Sequence, residues 1–161
     1  MPIEILEADY HNPQHQRDIP ELLNAYALDP MGGSEPLSAE VREVLVSKLA
    51  QLPHAFSVLA YVDGKPAGLT NCFEGFSTFA AKPIVNIHDI AVHPEFRGLG
   101  LSQKMLDKVE EIARRKGCCK LTLEVLSNND IAQNAYRKFG FAGYELGEIS
   151  GHALFWQKKL K

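Results

Sequence analysis

The sequence has no apolar run approaching the ~18 residues that a membrane-spanning helix needs, and Met1 to Tyr10 has neither the basic start nor the long apolar stretch of a secretion signal. A cytoplasmic location and no membrane partner are therefore expected. Cysteine is scarce. Cys72, Cys118 and Cys119 are an odd number without C-x-x-C spacing, so they read as reduced thiols, with neither a disulfide framework nor a metal site expected. There is no excess of positive charge either. Lys and Arg number 17 against 20 Asp and Glu, a net of -3, whereas nucleic-acid binding needs clustered cations to displace counterions. No nucleic-acid partner is expected. The one basic cluster, Arg114-Arg115-Lys116, reads as a cationic last helical turn favoured by the helix dipole.

What is present is an ordinary globular composition: 161 residues, 45% apolar and 23% charged. A chain of this size buries roughly 70% of its unfolded surface and needs no covalent staple. No repeat, low-complexity stretch or linker divides it, so residues 1–161 are expected to form a single domain.

Hydrophobic periodicity gives the element order. Ile3 to Leu6 reads as a strand, Ile19 to Ala27 as a helix, and the Pro- and Gly-rich stretch from Asp29 to Pro36 as a break. Ser38 is placed to cap a second helix that Pro53 ends. Phe56 to Val62 and Ala67 to Phe73 flank the turn signal Asp63-Gly64-Lys65-Pro66, a hairpin pattern, and Glu74 to Pro83 reads as a loop or ragged strand end. Ile84 to Val92 is the next strand; alternation puts Ile84, Asn86, His88, Ile90 and Val92 on one face and Val85, Ile87, Asp89 and Ala91 on the other. An amphipathic helix follows and closes at Gly117. Leu121 to Leu126 is a strand, and Ala132, Ala135, Tyr136 and Phe139 stripe a short helix ending at Gly140. Strands are expected near Phe141 to Leu146 and at Ala153 to Lys158. The alternation implies an α/β (α+β) chain with a mixed sheet and helices on its faces.

Between the strand ending at Val92 and the next helix lies Arg97-Gly98-Leu99-Gly100-Leu101-Ser102. A strand, a glycine turn and a helix start form an anion site, because glycine lets backbone approach a ligand and the first helical N–H groups point at it. The P-loop spacing is absent, and a dinucleotide G-x-G-x-x-G would need glycine where Gln103 stands. Arg97 is placed to add charge.

The run from Val92 to Ser102 resembles the R/Q-x-x-G-x-G/A acetyl-CoA signature of the GNAT acetyltransferase superfamily. Asn129-x-x-Ala132-x-x-Ala135-Tyr136, followed by Phe139-Gly140-Phe141, resembles that family's N-x-x-A-x-x-x-Y and GF pair. Ser102 departs from the usual Gly or Ala. The resemblance implies the GNAT fold, a mostly antiparallel sheet of about seven strands with about four helices, splayed between the strands near 84–92 and 120–126. It also implies acetyl-CoA as co-substrate. Its pyrophosphate would lie on N–H groups from Gly98, Leu99, Gly100, Leu101, Ser102 and Gln103, its pantetheine along Ile90, Ala91 and Val92, and near Asn129 and Ala132. Asn129 also suits a helix N-cap.

Acetyl transfer to an amine needs three services. An ammonium of pKa ~10.4 is neutral about once in 2,500 molecules at pH 7, a deficit of ~4.6 kcal/mol, so a base must take its proton. The oxyanion needs a donor, which the family supplies from backbone at Val92. The departing thiolate, pKa ~8.5, needs a proton or hydrogen bond, and Tyr136 matches the family's acid. Two residues compete as base. Glu124, in Leu123-Glu124-Val125 upstream of Asn129, resembles the base of bacterial ribosomal-protein N-terminal acetyltransferases; His88 stands where diamine acetyltransferases carry a glutamate. Glu124 is preferred, with His88 as partner or substrate contact. The acceptor site would form from Tyr26 to Pro36 and Glu74 to Lys82 with Phe76 and Phe79, where Glu35, Glu74, Glu124 and Asp89 attract a small cationic amine. Protein or peptide N-termini, or lysines, are the alternative acceptors, and a non-catalytic acyl-CoA-binding module the alternative function. A homodimer is expected by family analogy alone.

Overall fold

A computed structural model describes residues 1–144 and 148–160. The expected class is observed: a mixed, mostly antiparallel sheet in the order β1-β2-β3-β4-β5 with helices on both faces. The strands are β1 (Ile3–Glu7), β2 (Ala55–Val62), β3 (Lys65–Ser77), β4 (Lys82–Val92) and β5 (Leu121–Leu123). The helices are α1 (Pro13–Leu28), α2 (Ala39–Ala50), α3 (Leu101–Arg115) and α4 (Asp130–Phe139).

β2 is buried on both faces, as its unbroken apolar run requires. Val58, Ala60 and Val62 pack with Met105, Leu106 and Val109 of α3 in one core, while Leu59 and Tyr61 face Ile19 and Leu22 of α1 in the other. The β2–β3 turn is Asp63-Gly64 with φ of 51° and 77°, the doubly positive pair of a tight hairpin. The basic end of α3 is paired throughout: Arg114 with Glu110, Arg115 with Glu7 and Lys116 with Glu74.

Several boundaries differ from expectation for physical reasons. Helix α1 starts six residues before Ile19, because the Asn12 side chain caps Gln14 and His15 N–H groups with Pro13 in the first turn. Pro20 resembles a first-turn proline yet lies inside the helix. The stretch from Glu74 to Pro83 is a second hairpin rather than a loop, with Ser77 opposite Lys82. Five strands are present among the described residues, not about seven. Phe141 to Tyr144 and Ala153 to Lys158 are not strands, and residues 145–147 of the expected strand to Leu146 lie outside the described residues. Ala153 N–H donates to the Tyr144 carbonyl at 3.4 Å.

Candidate active site

β4 and β5 pair in parallel only from Val85 to Ile87 against Leu121 to Leu123. Beyond Ile87 they splay, and the β5 side of Ile90 to Val92 is open. His93 N–H donates to the Ala67 carbonyl at 2.8 Å. Successive residues of an antiparallel strand aim their amides at opposite edges, so Val92 and Ile90 turn theirs toward the opening.

The turn after β4 sets the second wall. Gly98 and Gly100 have φ of 85° and 72°, left-handed values that favour glycine, and Gly100 caps α3 without any side-chain bond to its first-turn N–H groups. These donors and the open strand edge enclose a cavity of ≈ 430 Å³, with Asn129, Ala132 and Tyr136 of α4 opposite. The residues present fit a long anionic thioester with an amide-bearing arm: strand-edge amides for the arm, bare helix N–H groups for phosphates. Tyr136 is half-buried, its ring edge-on to Phe141 with centroids 6.0 Å apart. Burial, with a smaller contribution from Tyr26, pushes its phenol up to about 12. It is protonated throughout the neutral range.

A second cavity, ≈ 330 Å³, lies between α1, α2 and the sheet, and is lined by Tyr26, Asn71, Phe73, His88 and Asp89 among others. Tyr26 borders both cavities. A β-bulge shapes this floor. Asn71 pairs with Asp89 but Cys72 with Ile87, which leaves His88 as the extra residue. The bulge reverses the alternation expected for β4: Val85 and Ile87 pack toward α3, and so do Ile90 and Val92. His88 and Asp89, expected on opposite faces, both border the cavity.

Asp89 ends a polar chain through the sheet. Tyr10 Oη lies 2.8 Å from Ser57 Oγ, Ser57 donates to Asn71 Oδ1 at 2.6 Å, and Asn71 Nδ2 donates to Asp89 Oδ2 at 3.1 Å. With the Ser57 proton committed to Asn71, Tyr10 is the donor in its bond. Asn71 and Ser57 are buried, so the amide is held with its donor toward the carboxylate. His88 Nδ1 is 3.3 Å from Asp89 Oδ1, and its side chain is 67% exposed. Among the described residues, the His88 imidazole is the basic side chain within 4 Å of the Asp89 carboxylate. Burial and the charges of Asp89 and Asp29 raise the Tyr26 phenol pKa.

The acetyltransferase (GNAT) family profile matches residues 18–141. The chain belongs to this family. The bovine thialysine N-epsilon-acetyltransferase is 39% identical over 80 residues, 50% of this chain and 45% of that protein. The chain spans about half the length of the curated relatives it matches. Solved GNAT structures share the fold across nearly the whole chain. An aminoglycoside acetyltransferase from an uncultured soil metagenomic sample, in complex with sisomicin, has a TM-score of 0.80 at 16% identity, covering 99% of this chain and 97% of its own. A ribosomal-protein-alanine N-acetyltransferase from Brucella melitensis has a TM-score of 0.69 at 17% identity, covering 99% of each chain.

Against this GNAT frame, most residues expected at the cofactor border the larger cavity; two do not. Leu99 packs against the α3 core, and Gln103 ties α3 to α4 through the Ala135 carbonyl at 2.8 Å. Asn129 borders the cavity while also capping α4, its side chain accepting from Ala132 N–H at 3.1 Å. Arg97 pairs with Asp29 at 3.3 Å, joining the glycine turn to the loop after α1. Glu124 is exposed just beyond β5 and lines neither cavity. Phe76 and Phe79 project from the β3–β4 hairpin rather than toward the acceptor cavity, with Phe79 fully exposed. Sequence reasoning gave no role to Asn71 or Phe73, while Tyr26, the first residue of the expected acceptor segment, does border the acceptor cavity. The one available signal was a polar Asn71 and Asp89 inside otherwise apolar strands.

Proposed function

We propose that this GNAT chain transfers acetyl from acetyl-CoA to a small cationic primary amine, a polyamine or an amino-acid-like amine, by direct attack in a ternary complex. The Asp89 carboxylate carries this reading. It borders a cavity of small-ligand size, one of its oxygens accepts from a buried neutral amide, and the other faces an imidazole that is mostly exposed. An ammonium group completes such a site. The name of the bovine relative, which specifies an ε-amine, agrees with this acceptor class.

When bound, acetyl-CoA supplies an activated acetyl thioester. Gly98 and Gly100 to Ser102 would hold its pyrophosphate, and the outward amides of Ile90 and Val92 its arm and the acyl oxygen. Asp89 binds and orients the amine. His88, with Nδ1 on Asp89, has Nε2 available to take the ammonium proton, directly or through water. We assign the base to His88 rather than Glu124 because only His88 borders the acceptor cavity. Tyr136 donates to the departing sulfur. Its high pKa keeps the hydrogen in place, and the same burial raises the pKa of a thiol beside it, narrowing the gap from the reference ~8.5. Direct attack is favoured over an acetyl-cysteine route because burial pushes the Cys72 thiol up to about 12 and Cys72 borders neither cavity.

A thiol-release assay with acetyl-CoA and a panel of diamines, lysine-like amino acids, neutral amines and peptide N-termini tests the reading. Faster turnover of the cationic small amines supports it. Preference for peptide N-termini, or no release despite acetyl-CoA binding, overturns it.

A further inference from the structure

We propose that the acceptor presents one terminal ammonium followed directly by an uncharged apolar body, a methylene arm or a ring, and that Leu23, Leu37, Leu45 and Phe73 select that body. This rests on the reading of Asp89 as the ammonium site and narrows it. An amine at the end of an unbroken methylene arm fits, with any second charge far enough along to stay in water. A polyamine with closely spaced charges does not.

The acceptor cavity of ≈ 330 Å³ is divided by chemistry. Its polar groups Asn71, His88 and Asp89 come from β3 and β4, whereas Leu23 of α1, Leu37 just before α2, Leu45 of α2 and Phe73 of β3 supply apolar wall. Leu23, Leu37 and Leu45 are half-buried, unlike the core leucines Leu22, Leu59 and Leu69 at 4%, 0% and 0% exposure. They keep apolar surface that a ligand body can cover. Leu37 is held in place by its own N–H, which donates to Asn24 Oδ1 at 2.8 Å.

The charges allow one cation. Of the acids expected to attract an amine, Asp89 alone borders this cavity; Glu35 and Glu124 do not, and Glu74 faces away to Lys116 at 3.8 Å. Asp29 borders the other cavity and pairs with Arg97. Asn71 is committed within the fold, its amide donating to Asp89 and its oxygen accepting from Ser57, and the Tyr26 phenol is uncharged near neutral pH. No lysine or arginine borders the cavity to receive a substrate carboxylate. A second ammonium close behind the first would therefore lose its water against leucine with no counter-charge, whereas each methylene laid on the same walls gains about fourfold in affinity when fully covered.

The test uses the unmodified chain, acetyl-CoA and amines matched in length: n-butylamine with 1,3-diaminopropane, and n-hexylamine with 1,5-diaminopentane. From ethylamine to n-hexylamine, kcat/KM for thiol release should rise about two- to fourfold per methylene. Each monoamine should exceed its matched diamine, with the larger gap in the short pair, where the second charge cannot leave the walls. Calorimetric binding of n-hexylamine should show a negative heat-capacity change. Leu37→Glu, which sets a second carboxylate in the wall, should shift the diamine-to-monoamine ratio about tenfold toward the diamine. Rates that do not change with chain length, or diamines faster than their matched monoamines, overturn the inference and leave Asp89 as the ammonium site. An unchanged ratio in folded Leu37→Glu overturns it as well. No release from any of these amines overturns both. The amine series decides the matter even if Leu37→Glu fails to fold.

Discussion

Replacing Asp89 by asparagine removes one charge and little else. The Asn71 amide that donates to Asp89 at 3.1 Å can donate equally to the carbonyl oxygen of the substituted side chain, so the polar chain and the fold should survive. The lost quantity is the attraction between a carboxylate and a bound ammonium. Two unit charges about 4 Å apart interact by ~4 kcal/mol at an effective dielectric near 20. Asp89 keeps 18% side-chain exposure, so the lower range measured for charged hydrogen bonds, ~1.5–3 kcal/mol, applies. That predicts a fall of about 10- to 150-fold in kcat/KM for cationic amines. Asp89 does not border the larger cavity, so the KM for acetyl-CoA should not change. The assay is initial-rate thiol release with each substrate varied in turn, for a diamine and for a neutral amine of similar size. A loss below about threefold for the diamine, or an equal loss for both amines, would refute the role of this carboxylate.

Other substitutions separate the remaining roles. Tyr136→Phe should lower kcat by ~10²-fold or more, with acetyl-CoA affinity by calorimetry unchanged; unchanged turnover removes its acid role. Glu124→Gln should leave the kcat–pH profile as it is, whereas His88→Asn should lower kcat, and the opposite pattern would return the base to Glu124. Gly100→Ala puts a Cβ on a residue with φ of 72° and no close neighbour, so strain alone should destabilise by ~1–2 kcal/mol and weaken acetyl-CoA binding. Burial raises the pKa of Tyr10, Tyr26, Tyr61 and Tyr136. Below pH ~10 these phenols are neutral folded or unfolded; above it the unfolded chain loses protons that the folded chain keeps. Stability should therefore fall as pH rises beyond ~10, and absorbance of the ionised phenols should titrate later in the native protein than in urea.

The cofactor side of the site was legible in the sequence because it depends on local features. Gly98 and Gly100 occupy positions that favour glycine, and Asn129, Tyr136 and Gly140 sit at the cap, face and end of one short helix. The acceptor side was less legible because it depends on one inserted residue. The bulge at His88 changes which side chains share a face, and strict alternation has no means of registering it. Glu124 matches a motif, but β5 ends at Leu123, so the glutamate stands outside the paired strand that would have aimed it inward. Phe76 and Phe79 suggest site aromatics only until the hairpin that carries them away is seen. The C-terminal apolar pattern has the composition of a strand, but Ala153 to Lys158 is not one among the described residues.

The central claim is direct transfer from acetyl-CoA to a small cationic amine. Mass spectrometry of a reaction with trideuteroacetyl-CoA and a diamine tests it most directly. The account predicts a singly acetylated, deuterium-bearing diamine and no labelled peptide from the enzyme. Label retained on a cysteine of the enzyme, or no labelled amine from an enzyme that binds acetyl-CoA, would contradict it.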